Sequence, residues 1–255
     1  MEYIYEKHRD SYEDFASGRV LLHASGTTAF PVKLASEIFL RGRSLLQSRS
    51  AKEKYSLLDP CCGGAHLLTT IGILNGQYLH LIAGSDIDGR VIEVAKSNLS
   101  MVNEDGIQNR LEQIKKMYSE YRKESHGKAI GSAERLKQMI LERRSTIETV
   151  CFQSDITNSQ FVPWTKDTFD IVITDVPYGE MVEWRSAEDN PINRLLENLR
   201  NVLSPHAVVI VVSDKKQIIS NSNYNRLERL KIGKRQVVFL EPNDANKMMN
   251  WGMEQ

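Results

Sequence analysis

Leu57-Leu58-Asp59-Pro60-Cys61-Cys62-Gly63-Gly64-Ala65-His66-Leu67 reads as a strand that runs into a glycine turn and re-emerges as a helix. The turn is where the chain can approach a ligand: glycine takes positive φ without strain and brings no Cβ. A Gly-Gly pair alone is common, and the weight comes from the residues downstream. Twenty-three residues after Gly63, the run Gly84-Ser85-Asp86-Ile87-Asp88 puts an acidic residue at the end of a second strand. In a Rossmann-type site that position carries the carboxylate that grips the ribose hydroxyls of a nucleoside. Asp88 reads as the cap of the next helix. A third carboxylate stands in Gln153-Ser154-Asp155-Ile156. Alone, Asp155 would read as a plain loop residue; third in the series, it reads as an acceptor for an adenine amino group.

Outward from this turn, short runs rich in Val, Ile and Leu recur at 55–58, 79–85, 149–153, 169–174 and 207–213. Near-continuous apolar runs suit parallel strands buried on both faces. Helical stretches at 67–74, 90–101 and 192–202 separate them, and this alternation predicts a doubly wound α/β sheet. At the C-terminal end, 227–232 and 236–240 flank Gly233-Lys234-Arg235 and read as an antiparallel hairpin. A mostly parallel seven-stranded sheet closed by such a hairpin is typical of the Rossmann-like class I methyltransferases that use S-adenosylmethionine (SAM). We expect one domain over 1–255, with an N-terminal helical segment at 15–50 and a helical insertion at 104–147. In the first of these, 31–46 reads as an amphipathic helix with Pro31 at its start. In the insertion, Ile107, Leu111, Ile114, Tyr118 and Tyr121 recur at helical spacing, Gly127 and Gly131 bracket an expected break, and a second helix runs through Leu136 and Ile140.

Composition narrows the class. With 41% hydrophobic and 26% charged residues in 255, the chain has an ordinary globular balance. Three cysteines, two of them adjacent, offer neither a disulfide framework nor metal-ligand spacing, and scattered histidines add none, so no metal is expected. The N-terminus has no apolar segment resembling a signal peptide, and no run is long enough to span a bilayer. A cytoplasmic monomer without membrane contact is the simplest expectation. Net charge is zero, yet residues 106–147 hold ten Lys or Arg against five Asp or Glu, and 31–54 hold six against two. This asymmetry predicts a basic face. Charge alone would leave a solvated helix surface as the favoured reading.

The more specific signal is Thr174-Asp175-Val176-Pro177-Tyr178-Gly179-Glu180, directly after the 169–174 strand. It is similar to the Asp/Asn-Pro-Pro-Tyr motif of methyltransferases that modify planar nitrogens. A strand-ending turn accounts for Pro177 and Gly179, but not for an acid and an aromatic flanking the proline. A nucleobase amino group has its lone pair delocalised into the ring. A carboxylate and a backbone carbonyl that accept its hydrogens localise that pair and aim it at the methyl donor. Tyr178 offers a stacking face, worth about 1–3 kcal/mol per base, for a base taken out of its stack.

Taken with Ala29-Phe30-Pro31-Val32-Lys33-Leu34-Ala35, these motifs resemble the AviRa family, the avilamycin-resistance type methyltransferases of 23S ribosomal RNA, over about 15–240. The resemblance implies a SAM-dependent enzyme that methylates a guanine base nitrogen in large-subunit rRNA. It implies that Asp59, Cys61, Gly63, Gly64, Asp86, Ile87, Asp155 and Ile156 serve SAM. The Phe30-Pro31 segment would close over the methionine end of SAM. Asp175, Val176, Pro177 and Tyr178 would serve the target base. Lys115, Lys116, Arg122 and Lys123 of the basic insertion are expected to meet RNA phosphates. The chain departs from the family pattern in two places. Gly63-Gly64-Ala65 stands where Gly-Ser-Gly is usual, at a cost of about 1 kcal/mol if Ala65 is left-handed. Val176 replaces the first proline of the wider motif. Competing readings are an N-methyltransferase of tRNA, DNA or protein glutamine, a non-catalytic RNA-binding module, and a nicotinamide oxidoreductase, whose Gly-x-Gly-x-x-Gly is absent.

Overall fold

A computed structural model describes residues 2–7, 11–158, 164–176 and 191–243. Seven strands form one sheet: β1 (Tyr55–Asp59), β2 (Leu79–Asp86), β3 (Glu148–Gln153), β4 (Phe169–Asp175), β5 (Leu203–Asp214), β6 (Tyr224–Ile232) and β7 (Arg235–Pro242). The order is β3-β2-β1-β4-β5-β7-β6. The first five run parallel, and β7 lies antiparallel to both β5 and β6. The expected fold class is the one observed. Every residue of β1 is buried, as is the 207–212 stretch of β5. Their uninterrupted apolar runs reflect cover on both faces.

Helices supply that cover. On one face lie α1 (Val32–Gln47), α2 (His66–Asn75) and α3 (Gly89–Ser100), packed with Leu57, Ile82, Ile173, Ile210 and Phe239. A Cβ on Gly42 would sit 2.6 Å from Ile210 Cδ1, so α1 reaches the sheet only through a glycine. On the other face α6 (Pro191–Leu199) buries Ile192, Leu195, Leu196 and Leu199 against Leu58, Val172 and Val209. Trp164 packs edge-on to both Phe152 and Phe169 and serves as filling.

The insertion forms α4 (Glu104–Tyr121) and α5 (Glu124–Arg143), an antiparallel pair. The break falls at Arg122-Lys123 and not at Gly127 and Gly131, which lie inside α5. Each helical glycine costs up to about 1 kcal/mol, but Ala129, Ala133, Leu136 and Ile140 bury the face of α5 around them. Arg122 itself turns the chain, in the left-handed region at φ 51°. The expected apolar stripe holds at Ile107, Leu111 and Ile114 and ends there. Tyr118 is half-buried, and Tyr121 is 63% exposed because the helix has run past the domain it packs on.

Strand register decides where the acidic residues meet. Asp59 pairs with Gly84, so Asp86 stands two residues further along β2. Leu57 pairs with Ile171, so Asp175 likewise stands two residues further along β4. Two residues of strand rise about 6–7 Å. Asp86 and Asp175 therefore form the walls of a crevice at the carboxyl edge, one strand to either side, with Asp59 at its floor. The crevice opens where the sheet winds in opposite directions from β1 and β4, the place open α/β sheets put their ligands.

Candidate active site

The glycine turn is fixed by hydrogen bonds to the neighbouring strand. Cys62 N–H donates to the Ser85 carbonyl at 2.9 Å, and Gly63 N–H to Asp86 Oδ2 at 2.8 Å. Asp86 Oδ1 accepts from Asp88 N–H at 2.9 Å. Both oxygens thus have one backbone donor, which fixes the carboxylate and leaves lone pairs for ligand hydroxyls. Gly63 is left-handed at φ 51°, and Ala65, at φ 57°, is left-handed as well. The strain expected at Ala65 is therefore present; it sets the chain direction into α2. Asp88 caps α3 through Arg90 N–H.

Above the turn lies the N-terminal segment. A Cβ on Gly64 would approach Ala24 Cβ to 2.8 Å, and one on Gly63 would approach Thr27 Cγ2 to 3.1 Å. Phe30 is buried beneath the Arg235 guanidinium, 5.8 Å from its ring centre, while Pro31 is exposed at the entry to α1. His66 Nε2 lies 2.9 Å from the Phe15 carbonyl. A buried residue that sequence reasoning missed holds this arrangement. Asn98 accepts from Leu22 N–H at 2.7 Å, and its amide donates to the Leu22 carbonyl at 3.0 Å and the Gly64 carbonyl at 2.7 Å. The signal was legible: Val91, Ile92, Ala95 and Leu99 define the buried face of α3, and Asn98 is the polar residue on that face.

The carboxylates differ in their surroundings. Asp59 is buried and accepts from Cys61 N–H at 3.0 Å. Burial pushes it up to about 8; the Cys61 N–H opposes this, and the negative charges of Asp86 and Asp175 add to it. Asp86 is also raised, chiefly by burial. Asp175 is pushed up to about 6 by burial, with Arg235 pulling the other way. Its Oδ1 is buried with no hydrogen-bond partner among the described residues. An unpartnered buried carboxylate oxygen at a crevice wall is costly unless a ligand satisfies it. Val176 continues β4 by donating to the Val212 carbonyl at 3.0 Å.

Other expected contacts sit less directly in the crevice. Asp155 Oδ1 accepts from Thr157 N–H at 2.9 Å and Thr157 Oγ1 at 2.7 Å, a local turn that occupies that oxygen. Ile156 is buried in the core, and its carbonyl accepts from Asn198. Ile87 is 36% exposed, an apolar side chain at the crevice rim. Cys61 is half-buried, and burial raises its thiol well above the usual range. Pro177, Tyr178 and Gly179 lie outside the described residues.

A family model described as the rRNA methyltransferase AviRa matches residues 1–235. The chain belongs to the AviRa family of rRNA methyltransferases. It is 32% identical over 246 residues to a 23S rRNA (guanine(2535)-N(1))-methyltransferase of Streptomyces viridochromogenes, covering 95% of this chain and 97% of the relative. Two solved structures of AviRa from that organism superpose with TM-scores of 0.83 and 0.81, at 31% and 32% identity. Each comparison covers 94% of this chain and 96% of the other. As an AviRa-family member, the chain is an enzyme with a methyltransferase fold. Its crevice brings Asp59, Gly63, Gly64, Asp86 and Asp175 to one edge.

The basic residues of the insertion stand on α4 and at the α4–α5 tip. Lys115 pairs with Glu134 at 3.5 Å. Arg122 stacks over Tyr118 and Lys123 over Tyr121 at the α4–α5 tip. In the other basic segment, 31–54, three of the six cations are ion-paired among the described residues. Arg41 is paired with Glu37 and Glu228, Arg49 with Glu241 and Lys52 with Asp170, while Arg43 stacks on Tyr78.

Proposed function

We propose that this AviRa-family protein transfers the methyl group of SAM to ring N1 of a guanine in 23S rRNA, as a single-domain cytoplasmic monomer. The observation that carries the reading is Asp175: a raised carboxylate whose buried Oδ1 has no partner among the described residues, across the crevice from Asp86. The residues fit the cofactor. SAM bears a sulfonium and an ammonium charge beside its own carboxylate, and the crevice presents three acidic side chains, Asp59, Asp86 and Asp175. Side chains at Gly63 and Gly64 would meet the N-terminal segment, so the turn stays bare for close approach. The Asp86 carboxylate would take the ribose hydroxyls, and the Ile87 side chain would lie along the adenine. The Asp59 carboxyl would face the cationic methionine end, with the uncapped N-terminus of α2 near its carboxylate.

When bound, SAM supplies an electrophilic methyl on a sulfonium sulfur. Guanine N1 carries a proton and no available lone pair. Asp175 would accept that proton, and the electron pair left on N1 would take the methyl as its bond to sulfur breaks, the donor leaving as a neutral thioether. A carboxylate raised to about 6 is ionised at neutral pH and a better base than an ordinary aspartate. The Arg235 charge beside it favours the anionic form. Alignment of nitrogen, methyl and sulfur in a crevice with rigid strand-end walls supplies much of the acceleration. Among the described residues no helix is long and apolar enough to cross a membrane.

The test is nucleoside mass spectrometry of rRNA from cells with and without the gene. The reading expects one methylguanosine in 23S rRNA to disappear on deletion and return on complementation. Unchanged rRNA, with a lost methyl on tRNA, DNA or protein, would replace the substrate.

A further inference from the structure

Beyond the crevice, the chain builds a second concave surface. A groove of about 740 Å3 lies between residues 16–22 and the distal halves of α4 and α5. Arg19, Arg110 and Lys128 line it; Lys128 pairs with Glu124 at 2.8 Å and Arg19 with Glu13 at 3.3 Å, and both acids are exposed. At its end the α4–α5 tip carries Tyr121, 63% exposed, edge-on to the groove residue His126 at 6.3 Å. Lys123 lies 5.9 Å from the Tyr121 ring centre, and Arg122 flanks it. Tyrosine this exposed, on a turn held left-handed by a non-glycine residue, contributes little to the fold. The groove wall is continuous with the cofactor loop: Leu22 lines the groove, and Asn98 binds both Leu22 and the Gly64 carbonyl.

We infer that this groove and the α4–α5 tip form a docking site for a single-stranded RNA segment outside the target nucleotide, with a base stacked on Tyr121 and phosphates along Arg19, Arg110 and Lys128. The inference rests on RNA being the substrate. The acids paired with Arg19 and Lys128 are exposed, so their hold is weak and phosphates can displace them. Tyr121 stays 63% exposed with Lys123 over its ring, and such an exposed aromatic suits an unpaired base, since a paired base offers no open face. The groove volume falls in the range that encloses small organic ligands, enough for a nucleotide.

The test uses intact protein and a labelled oligoadenylate, read by fluorescence anisotropy across salt concentrations. Variants are Tyr121→Ala, Tyr121→Phe and the pair Arg19→Gln with Lys128→Gln; Arg110 is left alone because it holds the Val20 carbonyl. Tyr121→Ala should weaken binding about ten-fold, the loss of one stacked base, while Tyr121→Phe stays near wild type. The double variant should lower the slope of log K against log salt by about 0.7 for each phosphate that is no longer neutralised. With 23S rRNA, both should raise KM at unchanged kcat, and SAM affinity should not move. Wild-type affinity and slope in Tyr121→Ala and in the double variant would overturn the docking site while leaving the methyltransferase reading intact. Loss of oligoadenylate binding in the variants of a protein that methylates no RNA would support the groove and overturn that reading instead.

Discussion

Asp86 and Asp59 sit two residues apart in level at the carboxyl edge, and the two acids answer to different experiments. On the proposed reading Asp86 gives its remaining lone pairs to ribose, so Asp86→Ala should weaken SAM binding by about 1–3 kcal/mol, the usual loss of charge-assisted hydrogen bonds. Calorimetric titration with unchanged affinity would remove Asp86 from the cofactor site. Asp59, held up to about 8 by burial, is mostly protonated in the free protein at neutral pH. The sulfonium and ammonium charges of SAM above it favour the carboxylate, so SAM binding should release a proton and tighten as pH rises from neutrality towards 8. Heats of binding should then vary with the ionisation enthalpy of the buffer, and Asp59→Asn should abolish that variation; buffer-independent heats in the wild type would refute it. The same raised value has an opposite consequence for the free protein. The folded state holds the proton more tightly than the unfolded chain, so this contribution to stability is full below the ordinary aspartate range and is lost as pH rises through about 8.

Single elements show which parts of the fold were legible. The strand positions were plain because parallel strands buried on both faces leave unbroken apolar runs, and β1 to β5 differ from the sequence reading mainly by added end residues. β5 starts at Leu203, where pairing with Phe169 extends a strand whose exposed Pro205 and His206 broke the run. The α4–α5 turn was misplaced because glycine is read as a breaker, whereas the actual turn uses Arg122. Pairings across long sequence distances left no periodic signal. Glu37 is one: buried on α1, it accepts from Ile4, Tyr5 and Glu6 N–H and from Arg41, which also reaches Glu228 on β6. Burial alone would raise its acid, but these donors hold it below the usual carboxylate range. Glu37→Gln should therefore cost about 3 kcal/mol, the penalty for leaving a buried arginine half-paired. A wild-type midpoint in chemical denaturation would contradict this. Its contribution is present above the ordinary glutamate range and is lost as pH falls through the lowered value.

For the whole molecule, a neutral total hides an uneven surface. The sequence showed two basic segments and could not rank them. Ion pairs to Glu228, Glu241 and Asp170 hold Arg41, Arg49 and Lys52 of 31–54. In the insertion Lys115, Lys128 and Arg135 are paired too, but Lys116, Arg122 and Lys123 have no carboxylate partner among the described residues, which leaves the insertion as the RNA-facing candidate. Replacing Lys115, Lys116, Arg122 and Lys123 with Gln should reduce the salt slope of rRNA binding by about 0.7–0.9 for each phosphate these residues neutralise, at unchanged SAM affinity. An identical slope would make these residues a solvated face. The crevice itself was legible because motif and strand end coincide at Asp59, Asp86 and Asp175; the overlying N-terminal segment was legible only in part, since Asn98 joins it from another element. All of this converges on Asp175 as the base that frees guanine N1. The most direct measurement is single-turnover transfer of a labelled methyl group from SAM to 23S rRNA, with the product mapped by mass spectrometry and the rate followed against pH. The account predicts label on N1 of a guanine, a rate that rises through about pH 6 as Asp175 ionises, and a loss of at least about 10²-fold in Asp175→Ala with SAM and RNA binding retained. Near-wild-type transfer by Asp175→Ala, or label on a ribose oxygen, would contradict it.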